Sequence, residues 1–181
     1  MIIKEIFAII IGYLLGSIPS AYIVARLATG KDIRQMGGGN VSSDLLSCVV
    51  WHRRSLAVGI VDLSKGTAAV AIAYWLLDVP TEFVLLTGLA AVIGHNWMVW
   101  LKFSGGKGMG VTIGALAVLL PVYGYWPGLP IIFGIILIPY IITHNIALSM
   151  FIALVCLPFI TWLGMHSGIG FAMSAKLNPP L

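Results

Sequence analysis

Apolar residues run through this chain in long blocks, separated by short stretches where glycine, proline and charge collect. The blocks predict helices at Ile6 to Ala25, Leu56 to Leu77, Phe83 to Val99, Val111 to Tyr125, Leu129 to Thr143 and Ile146 to Met165. An apolar run of about 20 residues is the length an α-helix needs to cross a bilayer, where the backbone must satisfy its own polar groups. Alternation at about ten-residue spacing, the mark of a membrane barrel, is absent. The pattern therefore predicts an all-α integral membrane protein, a single polytopic domain over residues 1–181 built as a bundle of about six transmembrane helices. The fourth and fifth spans are short, and Pro121, Pro127, Pro130 and Pro139 end or kink them. A helical hairpin with GYWPGLP as its turn is the simplest arrangement. The first span does not read as a cleaved signal peptide, because its apolar core is long and lacks a small-x-small cleavage site.

Composition strengthens this picture. Hydrophobic residues make up 60% of the chain, charged residues 9%, and the mean hydropathy is +1.04, whereas soluble domains carry about 25% charged residues. Of the ten Lys and Arg, seven (Arg26, Lys31, Arg34, Arg53, Arg54, Lys102, Lys107) lie in or beside the first and third connections. Basic loops stay on the cytoplasmic side, so these connections are expected there and the N-terminus outside, in the inner (plasma) membrane. Topology accounts for the net charge of +4 without a nucleic-acid partner. Trp97, Trp100, Trp126 and Trp162 fall near predicted helix ends, where indole rings favour the interface. Cys48 lies in the first connection and Cys156 at membrane depth, so neither a disulfide nor a metal site is expected.

The longer connections carry the chemistry. The first, Leu27 to Ser55, contains GKDIRQMGGGNVSSD. Gly37, Gly38 and Gly39 followed by Asn40 permit positive φ and allow backbone N–H groups to converge on an anion, although a solvated loop would have the same composition. In the third connection, SGGKG delivers Lys107 to the mouth of the fourth helix, where N–H groups and the positive dipole end adjoin an ammonium. That combination suits a phosphate. It is not a nucleotide-binding P-loop: the glycine needed five places before Gly106 is Leu101, and Gly108 stands where Ser or Thr would hold magnesium. A lysine placed only for topology would not need the glycines Gly105, Gly106 and Gly108 around it. Within the helices, Asp62 and Lys65 share a face and can neutralise each other. His95 and Asn96 close the third span on the side of the SGGKG turn, so His95 is either an interfacial histidine or part of that site.

Taken in order, LLGSIPSAYIVARLATGKDIRQMGGGN, VDLSKG and TGLAAVIGHNWMVWLKFSGGKG resemble the bacterial membrane glycerol-3-phosphate acyltransferases that use acyl phosphate, the PlsY family. The resemblance runs from about Gly12 to Ile113 and more weakly to about Met150. It implies seven helices, an extracytoplasmic N-terminus and cytoplasmic motif loops. It also implies transfer of an acyl chain from acyl phosphate to glycerol 3-phosphate, giving lysophosphatidate for phospholipid synthesis without a cofactor or metal. On this reading Lys107 and His95 are the catalytic residues. Gly37, Gly38, Gly39, Asn40, Gly105, Gly106, Gly108 and Arg34 bind substrate phosphate, and the protein works as a monomer in the bilayer.

The chain departs from the family pattern in places. Gly38 stands at a serine, Ser42, Ser43 and Asp44 at a Gly-Ala-Thr, Leu45 at an asparagine, Cys48 at an arginine, and Ile146 to Leu148 at a Val-Ser-Leu. Ser167 to Leu181 is too short for a seventh span. A second reading is therefore a non-catalytic membrane relative that binds a phosphorylated lipid precursor or a partner subunit, and a third is a small transporter.

Overall fold

The computed structural model describes residues 2–30, 32, 34, 52–126 and 128–167. Every regular element among them is helical: α1 (Ile2–Gly16), α2 (Ser20–Thr29), α3 (His52–Ala71), α4 (Thr81–Asn96), α5 (Met109–Val122), α6 (Gly128–Thr143) and α7 (Ile146–Ser167). A π-helical turn, Ile72–Leu76, extends α3, and a 3₁₀ turn, Val99–Leu101, follows α4. Among the described residues three stretches are long and apolar enough to cross a membrane, Ile2–Thr29, Leu56–Leu76 and Thr81–Leu101, with shorter apolar helices at Met109–Val122, Gly128–Thr143 and Leu148–Leu163.

The first span differs from the expected continuous helix. Pro19 cannot continue the hydrogen-bond ladder, so α1 stops at Gly16 and α2 starts at Ser20. α2 then closes on Gly30, whose φ of 70° lets its N–H return to the Arg26 carbonyl. Of the prolines expected to end or kink the later helices, Pro121 stands one residue before the end of α5, whereas Pro130 lies in the first turn of α6, where its missing N–H breaks no intrahelical bond. Pro139 and Pro158 sit inside α6 and α7.

The chain forms two compact units, Met1–Val118 and Leu119–Leu181. In the first, α1 packs mainly on α4 and also on α3, and α3 packs on α2 and α4. Glycine permits the close approach of α1 and α4: a Cβ on Gly16 would overlap the Ala91 carbonyl, and one on Gly94 the Tyr13 carbonyl. Small residues at such crossings are how helices pack where lipid supplies no hydrophobic drive. The buried face of α4 carries Val84, Thr87, Gly88, Ala91, Gly94 and His95, while Leu85, Leu89 and Ile93 point outward, as lipid-facing side chains should. Near the end of α4, Ala21, Ala25, Val58, Met98 and Leu101 form a tight cluster. In the second unit, Leu120, Tyr125 and Ile132 form the core, and the Tyr125 hydroxyl donates to the Ile160 carbonyl at 3.3 Å.

Candidate functional site

The SGGKG turn is built by the backbone that precedes it. After α4 the chain passes through the 3₁₀ turn and then takes two consecutive left-handed residues, Lys102 (φ 54°) and Phe103 (φ 61°). Left-handed backbone costs a non-glycine residue roughly 1–2 kcal/mol, so this reversal has to be held in place. Three bonds hold it: Phe103 N–H to Met98 O at 2.9 Å, Ser104 N–H to Leu101 O at 3.1 Å, and Gly106 N–H to His95 O at 3.0 Å. The last brings the turn back onto the end of α4. Gly105 lies so close that a Cβ there would overlap the carbonyls of His95 and Asn96. Gly108 has φ 73°, and a Cβ on it would come within 2.6 Å of Asn96 Oδ1. Lys107 is exposed, between these two contacts, just before α5 begins.

The sequence places Arg34 among the phosphate ligands, and the structure sets it beside the same segment. Its guanidinium forks onto Asp32, with Nη2 2.6 Å from Oδ2 and Nε 3.0 Å from Oδ1, and Nη1 donates to the Leu101 carbonyl at 3.4 Å. The Tyr22 ring centre is 5.5 Å from the guanidinium carbon, within cation–π range. Arg34 thus connects the first connection, α2 and the 3₁₀ turn. Its hydrogen bonds, more than its charge alone, pull the Asp32 carboxyl down to about 2, and Asp32 in turn raises the Arg34 value. Gly37, Gly38, Gly39 and Asn40 lie outside the described residues.

Behind the turn is a buried polar group that the sequence reveals only in part. Asp62 and Lys65 pair as their spacing predicts, Nζ to Oδ1 at 2.9 Å, with side chains only 10% and 4% exposed. Their partners come from elsewhere: the Ser20 hydroxyl donates to Asp62 Oδ1 at 2.5 Å, and Lys65 donates to the Ile18 carbonyl at 2.9 Å. Both partners sit at the Pro19 break, where the interrupted helix leaves backbone groups without intrahelical bonds. His95 is buried with its Nδ1 3.9 Å from Asp62 Oδ1, and among the described residues neither that nitrogen nor Asn96 Oδ1 has a hydrogen-bond partner. The Tyr13 hydroxyl donates to Trp97 O at 2.8 Å and the Ser17 hydroxyl to Gly94 O at 3.2 Å, fastening α1 to the end of α4.

Of the predicted site residues, then, His95, Gly105, Gly106, Gly108 and Lys107 share one end of the first unit, with Arg34 bonded to the preceding 3₁₀ turn. Ser17, Ser20, Tyr13 and Asp32 were missed. Pro19 was the available signal for the first two, and the Asp-x-Arg spacing for the last. No group of three or more His, Cys, Asp or Glu among the described residues is arranged to hold a metal ion.

A helical unit with apolar spans and a glycine-lysine turn seated on the end of α4 defines the class, a polytopic helical membrane protein. Residues 6–177 match the family model described as glycerol-3-phosphate acyltransferase, and the chain belongs to that family. It is 51% identical over 170 residues to glycerol-3-phosphate acyltransferase 1 of Dehalococcoides mccartyi, covering 94% of this chain and 82% of that one. The glycerol-3-phosphate acyltransferase of Bradyrhizobium diazoefficiens is 38% identical over 157 residues, 86% of this chain and 75% of its own. Among solved structures, the glycerol 3-phosphate form of PlsY (YgiH), an integral membrane glycerol 3-phosphate acyltransferase, superposes with a TM-score of 0.77 at 26% identity, over 88% of this chain and 77% of that one.

Proposed function

We propose that this chain is a membrane acyltransferase that moves an acyl chain from acyl phosphate to the 1-hydroxyl of glycerol 3-phosphate. The hydroxyl oxygen forms an ester bond with the acyl carbon, the bond between that carbon and the phosphate oxygen breaks, and lysophosphatidate and inorganic phosphate leave with the hydroxyl proton on the phosphate. The donor is already activated. The protein therefore has mainly to hold two phosphates close together, offset their charge and align the hydroxyl. The observation that carries this reading is the turn at Gly105 to Gly108, seated on the end of α4 with Lys107 exposed, in a chain matched to the family over nearly its whole length. Lys107 binds and neutralises phosphate with N–H groups of the turn, and the family resemblance adds Gly37, Gly38, Gly39 and Asn40 as phosphate ligands. His95 contributes from behind, its carbonyl seating Gly106. Arg34 completes the electropositive mouth. The family names of the relatives and the bound ligand of the similar PlsY structure favour catalysis over a non-catalytic role.

On this reading the chain acts as one polytopic domain and a monomer in the inner membrane. The clustering of basic residues in the first and third connections puts both on the cytoplasmic side and the N-terminus outside. The test is turnover by purified protein in lipid vesicles. Lysophosphatidate and phosphate should appear in equal amounts, only when both substrates are present, and acyl-CoA should not replace acyl phosphate. A folded protein that yields no lysophosphatidate would favour the non-catalytic relative.

A further inference from the structure

The buried pair behind the turn has no part in the chemistry proposed above, yet four segments meet at it. Asp62 Oδ1 accepts from Lys65 on its own helix and from Ser20 at the start of α2, and Lys65 also holds the Ile18 carbonyl at the Pro19 break. On the other side, His95 Nδ1 faces the same carboxylate oxygen at 3.9 Å, and a Cβ on Gly110, in the first turn of α5, would lie 3.0 Å from the Asp62 Cβ. The Gly105 to Gly108 turn is strung between those last two points, His95 at one end and Gly110 at the other, and its Gly106 N–H is bonded to the His95 carbonyl.

Stability alone is a weak reason for such a group. Two charges removed from water cost free energy that their mutual attraction only partly returns, and apolar replacement of a buried pair is often neutral or favourable. What an apolar cluster lacks is direction. A carboxylate accepting from Ser20 and an ammonium aimed at the Ile18 carbonyl fix where the Pro19 break and α2 stand relative to α3, at the point where His95 of α4 and Gly110 of α5 pack against Asp62.

We propose that Asp62 and Lys65 are positioning residues for the phosphate-binding turn, locking the Pro19 break against α3 so that the end of α4 and the start of α5 hold Gly105 to Lys107 in register. This rests on the acyltransferase reading for its kinetic part and on geometry for the rest. The experiment compares the wild-type chain with the double variant Asp62→Leu/Lys65→Met, which removes both charges together, and with Ser20→Ala and Ser20→Thr, all in lipid. Amide hydrogen exchange of the peptide containing Gly106, the thermal midpoint, and KM and kcat are measured for each.

The double variant should keep its fold, exchange the Gly106 amide at least tenfold faster, and raise KM for glycerol 3-phosphate at least tenfold with a smaller change in kcat. Ser20→Ala should shift the same two quantities in the same direction by about threefold, and Ser20→Thr, which keeps the hydroxyl, should restore them. Unchanged Gly106 exchange and KM in folded variants, or a loss of kcat that only follows the loss of folded protein, would overturn the proposal. If the double variant does not fold, the serine pair decides by the same criteria. A wild-type chain without turnover would count against the acyltransferase reading, and the exchange comparison alone would then decide the positioning role.

Discussion

Replacing Gly108 with alanine perturbs the turn in two separable ways. Its φ of 73° lies in the left-handed region, where an L-residue with a Cβ costs roughly 1–2 kcal/mol. In addition the new Cβ would come within 2.6 Å of Asn96 Oδ1 and 3.2 Å of Val92 Cγ1. The amide oxygen ends a rotatable side chain and can retreat, but Val92 is partly buried in the α4 core and gives way less easily. Mild overpacking of this kind adds about 1 kcal/mol, at the low end of its range. Together the two terms come to about 2–3 kcal/mol, a factor of roughly 30 to 150 in the population of the native turn if it opens locally. Gly30→Ala supplies the control, since Gly30 has φ 70° and nothing within 4 Å of a Cβ. It should cost only the conformational term. The assay is hydrogen exchange of the 103–110 segment together with KM for glycerol 3-phosphate. Gly108→Ala should raise both by at least tenfold, and Gly30→Ala should leave both within about twofold while lowering the overall thermal midpoint. A Gly108→Ala protein with wild-type exchange and KM would show that the turn does not depend on its left-handed glycine.

Three further outcomes follow from the packing and the charges. Gly16→Ala places a Cβ against the Ala91 carbonyl and forces α1 and α4 apart, so it should destabilise the protein by roughly 1–3 kcal/mol, read as a fall in the reversible unfolding midpoint in detergent. Tyr13→Phe removes the bond to the Trp97 carbonyl and should cost about 0.5–1.5 kcal/mol by the same measurement. Asp32 has its pKa lowered to about 2 by Arg34, so the pair is fully formed above the ordinary carboxylate range, and its contribution is lost only as pH falls from about 4 through about 2. Carboxyl-carbon NMR should show Asp32 titrating well below its usual value, and Arg34→Gln should return it there.

How legible each part was depended on sequence distance. The helical class and most spans follow from apolar runs, because a bilayer leaves the backbone few alternatives. The Asp62–Lys65 pair was readable from its three-residue spacing, and the meeting of His95 with the SGGKG turn from the short connection between them. What the spacing could not show was any partner brought by packing: Ser20 and Ile18 reach α3 across 42 and 47 positions, and Tyr13 reaches Trp97 across 84. The break between α1 and α2 was signalled by Pro19 but outweighed by the apolar run around it. The π turn at Ile72–Leu76 has no compositional signature in IAYWL. Gly37 to Asn40, a site segment read from its glycines, lies outside the described residues, so its meeting with Lys107 rests on the family resemblance.

The central claim is that the lysine of the glycine turn is a phosphate ligand, and a comparison of the two exposed lysines of this connection tests it most directly. Lys102 and Lys107 have the same charge and lie five positions apart, but only Lys107 is flanked by the glycines seated on His95 and Asn96. In vesicles supplied with acyl phosphate and glycerol 3-phosphate, Lys107→Ala should lower kcat/KM for lysophosphatidate formation at least tenfold, about 1.4 kcal/mol of transition-state stabilisation. Lys102→Ala should stay within about twofold, as expected for a charge that only sets topology. Equal losses in the two variants, or a Lys107→Ala enzyme as active as the wild type, would contradict the account.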